Sequence, residues 1–391
     1  MTGTGLNGTE APRRILVVGN GIAGQTACDS LRGVGFDGDL TIVGDESRSA
    51  YSRPALSKAL LVPGPAERAV DGEPRSHELA PPTHEATEML GVAAVGLDVE
   101  SRRVSLDDGS CLTYDGLVIA TGSRARRLGG DHSAELSLRT VDNALVLRER
   151  LAAQPSVVVV GAGALGMEIA SAALSAGCRV TLVADGPPML SHLGPCLSDA
   201  FTAAAVARGL TIVDGSAAGI DGSCGVLLRD GSRVEADLLV SAIGDIPNTE
   251  WLGTSGLMTG GRLEADSRGR VGPGIVAAGD VAAIPTRGGV RRIPLWSSAI
   301  EQAKVAAVAL LAGDAAPELD LDPYFWTEQF GLNLKATGHL PAAGEPEFLL
   351  GDSPHGPSVM RWTHDDGPGV AVAVNHRVPI PKLRRMASAG S

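Results

Sequence analysis

Two spacings of apolar residues organise this chain. Short apolar runs occur at 15–18 and, after a leading serine, over 156–160, both too short for helices. Runs of that kind read as strands buried on both faces of a parallel sheet. Each is followed at once by three glycines spaced G-x-G-x-x-G and then by a stretch that suits a helix, 25–32 after the first and 167–176 after the second. A further strand follows each helix, at 40–43 and within 177–183. The order strand, glycine turn, helix, strand therefore occurs twice and predicts an α/β chain. A longer amphipathic helix is expected over 297–312, with Ala299, Ala303, Ala306 and Ala307 forming a small-residue face for close packing on a sheet. Strand-like runs such as 371–374 mark the C-terminal part, and no low-complexity block or short-period repeat appears.

The glycine spacing carries chemistry. In the first segment Gly19 permits a tight turn, Gly21 lets the backbone approach a pyrophosphate, and Gly24 lets helix and strand pack closely. Ile22 and Ala23, between them, join the glycines as cofactor-binding residues. The second strand ends at Gly44-Asp45-Glu46, whose carboxylates are placed to accept hydrogen bonds from a ribose. The second segment repeats the arrangement with Gly161, Gly163 and Gly166, then Glu168. Either glycine turn alone is compatible with a bare loop. Two of them about 140 residues apart point to two different dinucleotides held by two domains. After the strand at 180–183 comes Asp185, and no Arg or Lys follows until Arg208. An acid there repels a 2′-phosphate and can bond a free 2′-hydroxyl, which favours NADH over NADPH.

Composition narrows the remaining choices. The 391 residues are 44% apolar and 20% charged, with 51 glycines, and no apolar stretch reaches membrane-spanning length. Residues 1–12 are small and polar and read as a loose tail, not an export signal. With 33 basic against 45 acidic residues, the net charge of −12 argues against a nucleic-acid binder, which needs a dominant basic face. Cys28, Cys111, Cys178, Cys196 and Cys224 are scattered and never spaced C-x₂-C, so no disulfide framework and no metal or iron–sulfur site is expected, and a cytoplasmic location fits.

With both glycine motifs placed, the rest of the chain resembles the FAD- and NAD(P)-dependent pyridine nucleotide-disulphide oxidoreductases, and within them the NADH:ferredoxin reductases that serve cytochromes P450 and Rieske oxygenases. The resemblance runs from Arg13 to about Arg385. Its most specific stretch is Tyr51-Ser-Arg-Pro-Ala-Leu-Ser-Lys58, similar to a family Y-x-R-P-P-L-S-K with Ala55 in place of the second proline. Tyr114-Asp-Gly-Leu-Val-Ile-Ala-Thr-Gly122 is similar to the exit from the FAD domain, and Ala242-Ile-Gly-Asp-Ile-Pro-Asn248 to the return. Gly274-Ile-Val-Ala-Ala-Gly-Asp280 resembles the second flavin signature, and Pro323-Tyr-Phe-Trp-Thr-Glu-Gln329 a family P-Y-F-W-S-D-Q.

The resemblance implies two Rossmann-like dinucleotide-binding domains, one for FAD and one for NAD, plus a C-terminal α+β interface domain. The FAD domain would comprise 12–125 and 247–318, the NAD domain 126–246 and the interface domain 319–391. It implies FAD in the first site and NADH in the second, with a ferredoxin-type iron–sulfur protein as partner and the chain working as a monomer or homodimer. Lys58 and Glu168 would form an ion pair near flavin N5, with Trp326 beside the flavin on the acceptor side. Arg126 would face the FAD diphosphate, Asp280 would bond the ribityl hydroxyls, and Trp296 would lie close to the ring. Arg53, Thr121, Gly122, Gly244 and Gly279, in the matching motifs, complete the implied cofactor set. Plainer readings stand beside these: a solvated lysine at 58, a helix N-cap at Asp280 with a helix starting after Gly279, an ordinary core aromatic at 326. Two departures matter. Pro294 stands where the family has a glutamate two residues before the tryptophan at 296, and Ala184 stands where a glutamate is common at the strand end.

The cysteines exclude a dithiol relay, because Cys28 has no partner close in sequence and the stretch 50–56 contains none. Electrons must then leave the flavin directly. A ferredoxin is the expected acceptor. A same-fold reductase or oxidase acting on a small molecule or O₂, and a non-catalytic NADH-sensing flavoprotein, are the rival functions. An acidic ferredoxin needs local basic ground, offered by Arg124, Arg126 and Arg127, by Arg291 and Arg292, or by Arg377, Lys382, Arg384 and Arg385.

Overall fold

A four-residue apolar run can be buried completely only between two layers, and the strand Arg14–Val18 sits between two. Ile15 and Val17 face helices Ile22–Gly33 and Trp296–Ala312, meeting Ala27, Cys28, Leu31, Ala303 and Ala306. Leu16 and Val18 face the opposite way, toward Leu97, Val104 and Leu106 of an antiparallel sheet built from Ala94–Asp98, Arg103–Leu106 and Cys111–Thr113. The period-two alternation thus divides one strand between two cores. The computed structural model describes residues 12–61, 77–130, 133–222, 224–364 and 367–388, so the tail expected over 1–12 lies, Pro12 apart, outside the described residues.

Contacts divide the chain into two units, one holding the described residues of 12–51, 78–124 and 247–321, the other those of 52–77, 125–246 and 322–391. The stretch carrying Lys58 groups with the second unit, whereas the sequence reading keeps 12–125 together. In the first unit the sheet order is Arg270–Gly272, Ile275–Ala277, Gly116–Ile119, Arg14–Val18, Asp39–Gly44, Thr87–Leu90. All neighbours run parallel except the outermost pair, Arg270–Gly272 with Ile275–Ala277. The alanine face at 299, 303, 306 and 307 is buried, as its spacing predicts.

In the second unit a parallel sheet runs Thr211–Asp214, Arg179–Ala184, Ser156–Val160, Leu238–Ser241, Leu136–Ser137. Val158, Val160, Val183 and Leu239 pack on Val226 and Leu228 of an antiparallel three-stranded sheet. The C-terminal part is a five-stranded antiparallel sheet, order Tyr324–Gln329, Leu332–Thr337, Gly367–Val374, Ser358–His364, Glu347–Leu350. Leu383 and Ala387 of helix Ile380–Ser388 cover it at Val359, Ala371 and Ala373.

Both helices that follow glycine turns start three residues earlier than their apolar periodicity suggests, at Ile22 and Ala164. Gly21 and Gly163 hold extended backbone as N-caps, so the helix begins directly behind the second glycine of each motif. Glu168 accordingly lies in the second helical turn, not the first. The helix expected after Gly279 is absent: the chain there enters the strand Ala282–Thr286, which removes the N-cap reading of Asp280. Among the described residues no helix is long and apolar enough to cross a membrane.

Candidate functional site

Each glycine turn is closed by the same two contacts. Gly19 and Gly161 have φ of 115° and 104°, and a Cβ there would lie 2.1 Å from the Ala120 carbonyl oxygen and 2.3 Å from that of Ala242. A Cβ on Gly24 or Gly166 would lie 2.0 or 1.9 Å from the carbonyl oxygen of Gly19 or Gly161. Only glycine permits this approach of helix to strand. A Cβ on Gly21 would meet nothing within 4 Å, which leaves open space at the first turn for a pyrophosphate. At Gly163 the same position faces the His192 ring at 3.1 Å.

Around the first turn, Asn20 Oδ1 accepts from Gln25 Nε2 at 2.6 Å, and Gln25 Oε1 meets His84 Nε2 at 2.8 Å. His84 Nδ1 accepts the Ala86 N–H at 3.0 Å, so Nε2 carries the proton and donates to Gln25. Glu88 lies 3.4 Å from the amide nitrogens of both Asn20 and Gln25. Ile22 is half-buried and Ala23 buried at the helix start. Asp45 is exposed at the strand end, while Glu46 accepts from the Tyr51 hydroxyl at 2.6 Å. At the second turn Asp185 is exposed immediately after Arg179–Ala184.

In the second unit Lys58 and Glu168 meet. Lys58 Nζ lies 2.9 Å from Glu168 Oε1 and 3.0 Å from Oε2, with side-chain exposures of 16% and 6%. Thr327 Oγ1 donates to Oε1 at 2.6 Å, and Ser57 Oγ donates to Oε2. Gln329 Nε2 in turn donates to Thr327 at 2.9 Å. A buried carboxylate is tolerable only when its charge and lone pairs are matched, and here both oxygens accept from a hydroxyl as well as from the ammonium. Removing one partner of such a buried pair costs about 3–5 kcal/mol. Lys58 Nζ stands 5.9 Å from the Trp326 ring centre, and Tyr324 stacks on Trp326 at 5.4 Å. An open groove of about 490 Å³ lies beside the pair, lined by Pro54, Ser57, Lys58, Glu168, Ser171 and Trp326 among others. The fixed ammonium beside an open groove gives this unit a site able to stabilise negative charge on a bound group.

The other expected residues fall in different places. Thr121 and Gly122 are tied to Asn248: Thr121 Oγ1 donates to the Asn248 carbonyl at 2.8 Å, and Asn248 N–H to Gly122 O at 3.0 Å. Gly279 approaches Ala23 at the start of the first glycine helix, its would-be Cβ 3.0 Å from the Ala23 Cβ. Asp280 Oδ2 accepts from Ser123 at 3.3 Å, and Trp296 is half-buried as the first residue of Trp296–Ala312. In the second unit Arg53 donates to the Arg139 carbonyl at 2.8 Å. Arg126 is exposed, bonded through its backbone to Gly244 O at 2.9 Å. Cys28 lies in the core of the first unit, its thiol pushed up to about 12 by burial, and all five cysteines are free. A thiol so protonated is no electron relay.

Sequence reasoning misses Ser57, Thr327 and Gln329, although they flank Lys58 and Trp326 in motifs already singled out. It also misses His84 and His192, lone histidines that meet Gln25 and Gly163 from far along the chain, so no motif marks them.

The profile of the family described as "Pyridine nucleotide-disulphide oxidoreductase" matches residues 13–303. A p-cumate 2,3-dioxygenase system ferredoxin–NAD(+) reductase component from Pseudomonas putida is 36% identical over 356 residues, 88% of this chain and 85% of that protein. The anthranilate 1,2-dioxygenase system ferredoxin–NAD(+) reductase component from Burkholderia cepacia is 33% identical, over 96% and 94%. A chain of the covalent putidaredoxin reductase–putidaredoxin complex superposes with a TM-score of 0.83, at 28% identity and with coverage of 97% of this chain and 94% of that chain. The chain therefore belongs to the pyridine nucleotide-disulphide oxidoreductase family.

Proposed function

We propose that this protein is an FAD-dependent reductase that oxidises NADH and delivers electrons singly to a ferredoxin of an oxygenase system. The observation that carries the reading is the duplicated glycine turn, closed by the same backbone contacts in two parallel sheets of one chain. The relatives named as ferredoxin–NAD(+) reductase components support the acceptor.

In this reading Gly19, Gly21, Gly24 and Asp45 hold FAD, with Asp280 and Trp296 from the same unit. Gly161, Gly163, Gly166 and Asp185 hold NADH. Bound FAD supplies the conversion of a two-electron donor into single electrons. The chain's own contribution is electrostatic. Lys58 provides a fixed positive charge, Glu168 holds it, and Ser57 and Thr327 hold Glu168, so no reorganisation is needed when negative charge builds on the flavin. Trp326 belongs to the acceptor side. Arg126, Arg291, Arg377, Lys382 and Arg385 are exposed and offer basic ground to an acidic partner, whereas Arg124 is paired with Glu250 and Arg384 with Asp322. A cytoplasmic location belongs to the same reading.

The groove beside Lys58 favours one second reading, a small molecule as direct acceptor. The purified protein should be yellow or become so with added FAD, and should bleach under anaerobic NADH. A colourless protein that FAD does not reconstitute removes both readings.

A further inference from the structure

The two glycine turns differ at one position that the motif treats as equivalent. The second glycine of each motif keeps the pyrophosphate side clear of side chain. At Gly21 that space is open to beyond 4 Å, but at Gly163 it faces an imidazole, with His192 Cε1 at 3.1 Å and Nε2 at 3.5 Å from the position a Cβ would take. We infer that His192 is a ligand of the nicotinamide dinucleotide at this turn, its ring swinging from the face of Gly163 to hydrogen-bond the incoming pyrophosphate. The inference rests on the reading of Gly161–Gly166 as the NADH turn.

The segment that carries the ring is fixed to the turn by backbone. Met189 N–H donates to Ala162 O at 2.8 Å, and His192 N–H to Met189 O at 2.9 Å. Met189 holds a left-handed φ of 62°, which aims the one-turn helix Leu190–Leu193 back over the glycines. The backbone is thereby anchored while the side chain keeps its own torsions, so a ring rotation needs no loop movement. Nearby, the ring meets the Ser191 hydroxyl, 3.2 Å from Nδ1, and the non-titrating Gly163 backbone, while Asp185 earlier in the loop is exposed. The second site also lacks a basic side chain between Asp185 and Arg208 to meet a phosphate, and His192 fills that gap.

His192 is exposed as a residue, yet partial desolvation of its ring holds its pKa below the ordinary histidine value. Free, it is neutral at pH 7. A pyrophosphate beside it favours the protonated form, so binding takes up a proton and affinity rises as pH falls toward the free-state pKa.

The test is calorimetric titration of NAD⁺, which does not reduce the flavin, into FAD-loaded protein between pH 8.5 and pH 6. Wild-type protein should bind roughly tenfold more tightly at the lower pH, with proton uptake visible as a dependence of the heat on the buffer. His192→Gln and His192→Ala should both lose this slope and bind about tenfold more weakly at pH 6, with unchanged thermal unfolding to show that they are folded. Unchanged affinity and slope in the variants would overturn the assignment. Tighter binding by His192→Ala at every pH would also overturn it, making the ring an obstruction only. Failure of wild-type protein to bind NAD⁺ at any pH would instead overturn the reading of the turn itself.

Discussion

The two glycine turns share their backbone and differ in nearly every side chain around it. In the first, polar Asn20 and Gln25 are wired through His84 and Glu88 to the strand Thr87–Leu90. In the second, Ala162 and fully buried Met167 occupy the corresponding positions, and a backbone bond from Met189 does the anchoring. Two residues past its last glycine the first helix carries Thr26, and the second carries Glu168 with Lys58, Ser57 and Thr327 gathered on it. The glycines therefore specify a turn and a helix seated close to a strand. What each turn holds, and what is done there, is decided by residues the motif leaves unspecified.

The comparison is broken most strongly at the feature found only beside the second turn. Lys58→Met should slow bleaching of the flavin by NADH on the order of 100-fold in stopped-flow mixing while leaving NAD⁺ affinity nearly unchanged. An unaltered rate would remove Lys58 from the chemistry. Thr327→Val should give a smaller slowing that Thr327→Ser restores, since only the hydroxyl bonds Glu168.

Next come the glycines that the two turns share. Gly24→Ala and Gly166→Ala each press a methyl group onto a carbonyl oxygen. Overpacking of this kind costs ~1–3 kcal/mol, roughly fivefold to 150-fold in the equilibrium between the native turn and its distorted forms. Gly24→Ala should lose FAD, and Gly166→Ala should stay yellow but bind NAD⁺ poorly, as equilibrium dialysis would show. Loss of both nucleotides from either variant would contradict independent sites.

Gln25→Leu, which imitates the apolar second turn, should loosen FAD about tenfold by stranding His84 and Asn20, measured by flavin release on dilution. The smallest effect belongs to Cys28. With its thiol pushed up to about 12, it stays protonated throughout the neutral range and should resist alkylation at pH 8 without denaturant. Cys28→Ala should leave electron transfer unchanged.

Much of this architecture was readable in the amino-acid order because backbone constraints leave local marks. The runs at 15–18 and 156–160, the glycine spacing and the alanine face of Trp296–Ala312 each predict their element from neighbouring residues alone. Helix starts were less legible, since a glycine N-cap carries no side-chain signal. The surroundings of Glu168 were hidden for another reason: Ser57 and Thr327 reach it from 111 and 159 residues away. His192 beside Gly163 is hidden in the same way, because chain reversal after Arg179–Ala184 brings it there and no periodicity does.

The central claim is that electrons taken from NADH leave singly to an iron–sulfur protein. The most direct measurement reduces the FAD-loaded protein anaerobically with NADH and then mixes it rapidly with oxidised [2Fe–2S] ferredoxin or, separately, with a quinone. The expected result is fast return of the yellow flavin spectrum with the ferredoxin, matched by bleaching of the ferredoxin, and slow return with the quinone. A flavin that stays reduced with every ferredoxin offered, yet recolours at once with quinone or O₂, would contradict the account.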